Sequence, residues 1–111
     1  MARITDKAIS DLVDAIVREI EPEEIIMFGS RGRGENREDS DIDLLIVESQ
    51  PFGPDRSRWA EMSKLWNLVA RYRMAVDVLL YSRDEVERWR HSRNHVIARA
   101  TREGRSLYER H

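Results

Sequence analysis

Gly29-Ser30 stands ahead of two closely spaced carboxylates, Asp41 and Asp43, and a third, Asp77, interrupts an apolar run far along the chain. A Gly-Ser turn suits a phosphate, because glycine lets backbone N–H groups come close to an anion. Carboxylates two residues apart on a strand face the same side at roughly 6 to 7 Å. That spacing suits magnesium, a small cation that prefers oxygen ligands and is commonly held by one or two carboxylates together with substrate phosphates. The chemistry implied is that of a metal-dependent nucleotide site. Asp41, Asp43 and Asp77 are its expected metal ligands and catalytic residues, and Gly29 and Ser30 its expected phosphate cradle.

These residues need strands to position them. Ile25-Ile26-Met27-Phe28 precedes the Gly-Ser turn and Leu44-Leu45-Ile46-Val47 follows Asp43, so two strands are predicted with the loop between them carrying the chemistry. Ala75-Val76-Asp77-Val78-Leu79-Leu80-Tyr81 predicts a third. An aspartate in such a run is expected in a central strand, where an unpaired buried carboxylate costs several kcal/mol unless a cation sits beside it. The alternative is that Asp77 begins the strand and faces solvent.

Other candidates carry plainer alternatives. Arg31 and Arg33 are candidate contacts to phosphate or leaving pyrophosphate, or merely solvated; Glu35, Arg37, Glu38 and Asp39 read as a solvated spacer. His91 and His95 have a spacing that zinc can use, but no third ligand stands near them, and surface histidines are the preferred reading. Trp59, Trp66 and Trp89 could stack a base, although helical spacing makes them core or partner-facing residues first.

The remaining elements alternate. Thr5 is placed to cap a helix from Asp6 to about Ile20, with Ile9, Leu12, Val13, Ile16 and Ile20 on one face and Pro22 ending it. Gln50-Pro51-Phe52-Gly53-Pro54 breaks the chain before a second helix, from Arg56 to about Arg73, whose stripe Trp59, Met62, Leu65, Trp66 and Val69 is expected in the core. Ser82-Arg83-Asp84-Glu85 reads as a capping box. A last helix, about Asn94 to Glu103, is expected to stop at a left-handed Gly104, with Ser106-Leu107-Tyr108 forming a short edge strand. The expected architecture is α/β (α+β): one domain over residues 1–111, a small mixed sheet flanked by helices.

Composition bounds the function. The 111 residues are 36% charged with a net charge of -2, which gives no overall basic field and argues against direct nucleic-acid binding. The charge is uneven: residues 1–50 carry 6 basic and 13 acidic side chains, whereas residues 83–111 carry 8 arginines against 5 acids, a locally basic stretch suited to an acidic partner or to a solvated helix face. There is no cysteine, hence no disulfide or thiolate metal site, and no leader or membrane-spanning run is evident. A cytoplasmic protein is expected.

Gly29-Ser30-Arg31-Gly32-Arg33-Gly34, followed by Ser40-Asp41-Ile42-Asp43-Leu44-Leu45-Ile46, resembles the signature of the DNA polymerase beta-like nucleotidyltransferases. The short chain narrows the resemblance to the minimal nucleotidyltransferases, the MNT group, over about residues 5–82. Many relatives have alanine where Gly32 stands, a change that removes no functional group. The resemblance implies a polymerase beta-like core with the site at one edge of the sheet. It also implies an antitoxin that transfers AMP from ATP, with one or two Mg²⁺ ions, to a tyrosine of a HEPN-domain ribonuclease toxin. Asp77 would then also take the proton of the incoming hydroxyl. Larger relatives carry a helical domain that shapes the acceptor pocket; with about thirty residues after the third strand, the pocket is expected to be completed by the partner protein. Two alternatives stay open: an idle antitoxin that blocks the toxin by occlusion, and an aminoglycoside-type enzyme acting on small molecules.

Overall fold

A computed structural model describes residues 5–29, 42–93 and 95–110. Ser30, Arg31, Arg33 and Asp41 lie outside the described residues, as does the expected start of the last helix at Asn94. The elements in chain order are helix α1 (Asp6–Ile20), strand β1 (Glu24–Phe28), strand β2 (Ile42–Glu48), helix α2 (Arg58–Ala70), strand β3 (Val76–Ser82), helix α3 (Arg83–Trp89), helix α4 (Val96–Glu103) and strand β4 (Arg105–Glu109). Among the described residues no helix is long and apolar enough to cross a membrane.

The strands form one mixed sheet in the order β3-β2-β1-β4. β1 runs antiparallel to both β2 and β4, and β3 runs parallel to β2. The parallel pair requires a crossover, which α2 supplies. Two hydrophobic layers result. Ile25 and Met27 of β1, Ile42, Leu44 and Ile46 of β2, and Val78 and Leu80 of β3 pack with Leu12 and Ile16 of α1 and Leu65, Leu68 and Val69 of α2. On the other face, Ile26, Leu45 and Val47 pack with Val86 of α3 and Ile97 and Ala100 of α4. β2 is therefore buried on both faces, which accounts for its unbroken apolar run.

Local chemistry sets the ends of the helices. The Thr5 side chain accepts from the Ala8 N–H at the start of α1, and the capping box at Ser82 and Glu85 is formed as the sequence predicts. Arg83, next to that cap, donates to Glu23 at 2.6 Å and Glu24 at 2.9 Å, tying α3 to the start of β1. Burial alone would raise the Glu23 pKa, but the bonds from Arg83 and Ser49 and the charge of Arg83 outweigh it and hold the group below the ordinary carboxylate range.

Three expectations change. Gly104 is extended at φ -84°, not left-handed. Glycine is needed there for close approach, since a Cβ would strike the Ala100 carbonyl oxygen and lie 2.5 Å from Ile26 Cγ2 and 2.9 Å from the Met27 oxygen. Trp59 and Trp66, expected in the core, are 69% and 48% exposed; Leu65, Leu68 and Val69 form the buried side of α2, with Met62 partly buried beside them. Asp77 is exposed on an edge strand rather than buried in a central one, because among the described residues nothing pairs beyond β3 in the strand order.

At the C-terminal end of β2, Glu48 is only 4% exposed, and its Oε2 has no hydrogen-bond partner, while Oε1 accepts from Arg56 at 2.5 Å. Desolvation, then the neighbouring Glu61 carboxyl, push its pKa up to about 7 against the pull of Arg56. The raised pKa favours the neutral carboxyl, which lowers the cost of burying an oxygen without a partner.

Because the folded value lies above the ordinary 4.5, the stability tied to Glu48 is fully present below about pH 4.5 and is lost as the pH rises through about 7. Glu48→Gln should flatten that slope, on the order of 1 to 3 kcal/mol between pH 4.5 and 8, read by urea denaturation at several pH values. Gly104→Val should destabilise by about 2 kcal/mol or more through overpacking, read the same way.

Candidate active site

β2 leaves its apolar run at its N-terminal end, and Asp43 stands there between Ile42 and Leu44. Alternation puts Asp43 on the face of Leu45 and Val47, the face that α3 and α4 cover farther along. Its antiparallel partner on β1 is Phe28, and its parallel partner on β3 is Asp77. Register partners on neighbouring strands share a face and lie roughly 4.8 Å apart. Two of the three expected carboxylates are thus brought side by side at one end of the sheet, one half-buried and one exposed.

Gly29 closes this end from the third side. It follows β1 directly and takes a left-handed backbone at φ +73°, which L side chains rarely adopt. A Cβ at this position would collide with the Asp43 carboxylate oxygen Oδ2. The missing side chain is therefore space that the Asp43 carboxylate occupies, and Gly29 lies tight against it.

The register of β2 with β3 sets Asp43 beside Asp77 at the sheet edge without burying Asp77. Like charges this close repel, and a cation between them removes the repulsion. Hard carboxylate oxygens in register on neighbouring strands, backed by a glycine with no side chain to intrude, fit a magnesium ion that retains water and substrate oxygens among its ligands. Among the described residues no three His, Cys, Asp or Glu side chains gather closely enough to hold a metal; the expected third ligand, Asp41, lies outside them.

The histidines and tryptophans belong elsewhere. His95 caps α4, its Nδ1 accepting from the Ile97 N–H at 3.1 Å, and its ring stacks on Trp89 at 4.9 Å with 14° between planes. This capping role was not legible in the sequence, where His91 and His95 read as surface residues. Trp59 and Trp66 meet edge to face at 5.4 Å on α2.

Gly29→Ala should force either the turn or the Asp43 carboxylate to move, at a strain cost of about 1 to 3 kcal/mol. Nucleotidyl transfer should fall by a larger factor than the folded fraction does, measured by activity assay beside thermal melting.

Sequence and structure comparisons bear on the family and the fold. The nucleotidyltransferase domain family model matches residues 9–108. No curated protein matches the chain by sequence. A crystal structure of a protein from Sulfolobus solfataricus, assigned as a nucleotidyltransferase, is similar with a TM-score of 0.61 and 24% identity, covering 94% of this chain and 79% of that one. A toxin-antitoxin crystal structure containing AMP-PNP is similar with a TM-score of 0.51 and 21% identity, covering 96% of this chain and 75% of that one. With the model matching most of its length, this chain belongs to the nucleotidyltransferase domain family.

Proposed function

We propose that the protein is an antitoxin-type nucleotidyltransferase that transfers AMP from ATP to a hydroxyl, a tyrosine in the preferred case, of a HEPN ribonuclease toxin and so neutralises it. The observation that carries the proposal is the in-register pairing of Asp43 with Asp77 beside the left-handed Gly29. The similarity to a toxin-antitoxin structure containing AMP-PNP supports the choice of nucleotide and of acceptor class. The signature resemblance at residues 29–46 supports the rest.

In this reading Asp41, Asp43 and Asp77 hold one or two Mg²⁺ ions, whose charge would offset that of the triphosphate. Gly29 and Ser30 offer backbone N–H groups to the β- and γ-phosphates, with Arg31 and Arg33 as further phosphate contacts. Asp77, exposed on its edge strand, is the carboxylate an acceptor hydroxyl can reach, and it takes the proton as the acceptor oxygen bonds to the α-phosphorus. The bond from the α-phosphorus to the bridging oxygen breaks, and pyrophosphate leaves. A macromolecular acceptor that brings its own surface is the preferred class, in keeping with the similarity to a toxin-antitoxin structure.

Incubation with ATP, Mg²⁺ and the product of the neighbouring gene, followed by intact mass analysis, should show added AMP units on the partner. Asp43→Asn and Asp77→Asn should each lower the rate by about 100-fold or more. Neutralisation that survives Asp43→Asn with no added mass would instead mean occlusion. Mass added only to an aminoglycoside would mean a small-molecule enzyme.

A further inference from the structure

The outer face of α2 carries Trp59, Ala60, Ser63, Trp66, Asn67 and Ala70, none of them charged, in a chain that is 36% charged. At 3.6 residues per turn they fall within an arc of roughly 120°, opposite the side that packs on the sheet through Leu65, Leu68 and Val69. Two tryptophans at 69% and 48% exposure are the most exposed large apolar side chains on the described surface. The charges of α2 lie beside this face: Lys64 and Arg56 are drawn toward Glu61, and Arg58 is turned onto Glu85 and the Leu80 carbonyl.

The order of large and small residues along the face is self-complementary. Trp59 and Ala70 lie equally far from a level between Lys64 and Leu65, and so do Trp66 and Ser63. A second α2 laid antiparallel, with a two-fold axis at that level, sets each tryptophan of one copy over a small residue of the other: Trp59 over Ala70, Trp66 over Ser63. Such a contact is isologous, so one patch serves both copies. An acceptor approaching Asp43 and Asp77 would not cover this face, because α2 packs on the opposite side of the sheet.

We propose that two copies of this chain associate through antiparallel packing of α2 against α2, with Trp59 and Trp66 as the anchors. The exposed parts of the two tryptophans supply about 300 Å² per copy, taking about 250 Å² for a whole side chain. Flanking residues bring the total toward the lower end of stable interfaces, roughly 1,200 Å². An interface at that lower end is a weak one, in exchange with the monomer. α2 lies on the sheet face opposite Asp43 and Asp77, so one dimer can serve two acceptors.

Sedimentation of the wild-type chain at micromolar concentrations should show a monomer–dimer equilibrium, and Trp59→Ala and Trp66→Ala should each raise the dissociation constant about tenfold or more. In the proposed register the two Ser63 Cα atoms lie about 5.5 to 6.5 Å apart for helices about 8 to 9 Å apart, within reach of a disulfide. The native chain has no cysteine, so Ser63→Cys should give a covalent dimer on mild oxidation, whereas Asp14→Cys on exposed α1 should not. The Ser63→Cys result keeps the idea testable even if a tryptophan variant folds poorly. A wild-type chain that stays monomeric throughout this range, a dimer indifferent to both tryptophan changes, or cross-linking no better at Ser63 than at Asp14 would each overturn it.

Discussion

β2 is hydrogen-bonded along both edges, antiparallel to β1 and parallel to β3, and its side chains are packed on both faces. That double constraint fixes its register. A slip of one residue against β3 would exchange Leu44, Ile46 and Val78, which face α1 and α2, for residues of the opposite face, and the cost of exposing or misplacing them is prohibitive. The same register pairs Asp43 with Asp77. The backbone positions of the acidic pair are thus held by the core beneath it.

The arrangement divides the sheet into two ends with opposite tasks. At the end where β2 begins, the half-buried Asp43 and the exposed Asp77 stand in register beside a glycine whose backbone few residues could adopt. Such local strain and repulsion persist where the surrounding structure over-determines them, and they gather at functional sites. At the other end, charges are matched: Arg83 bridges Glu23 and Glu24, Arg58 holds Glu85, and Arg56 lies between Glu48 and Glu61. Only Glu48 is left with a burdened proton there, and it belongs to the packing between β2 and α2 rather than to the chemistry.

Much of this was legible from residue types. The strands, the Thr5 cap, the capping box at Ser82 and the spacing of the carboxylates follow from local chemistry that the chain states openly. What stayed hidden depended on partners distant in sequence. Asp77 looked buried because its neighbours are apolar, yet burial is set by strand order, and β3 lies at an edge. Trp59 and Trp66 shared the helical period of the core residues, but the turn of α2 that faces the sheet is centred on Leu65 and Val69. Gly104 read as a helix stop, whereas its smallness answers to Ile26 and Met27 on β1, nearly eighty residues earlier. The His95 cap needed the break between α3 and α4 to be known.

The proposed chemistry requires Asp43 and Asp77 to act together on a metal-bound nucleotide. Titration of Mn²⁺ into the protein with a non-hydrolysable ATP analogue, followed by electron paramagnetic resonance of the free ion, reads that cooperation. The free-ion signal should fall in a nucleotide-dependent way, and this binding should weaken about tenfold or more in both Asp43→Asn and Asp77→Asn while both variants melt as folded proteins. Undiminished binding in either variant, or no binding by the wild-type chain, would contradict it.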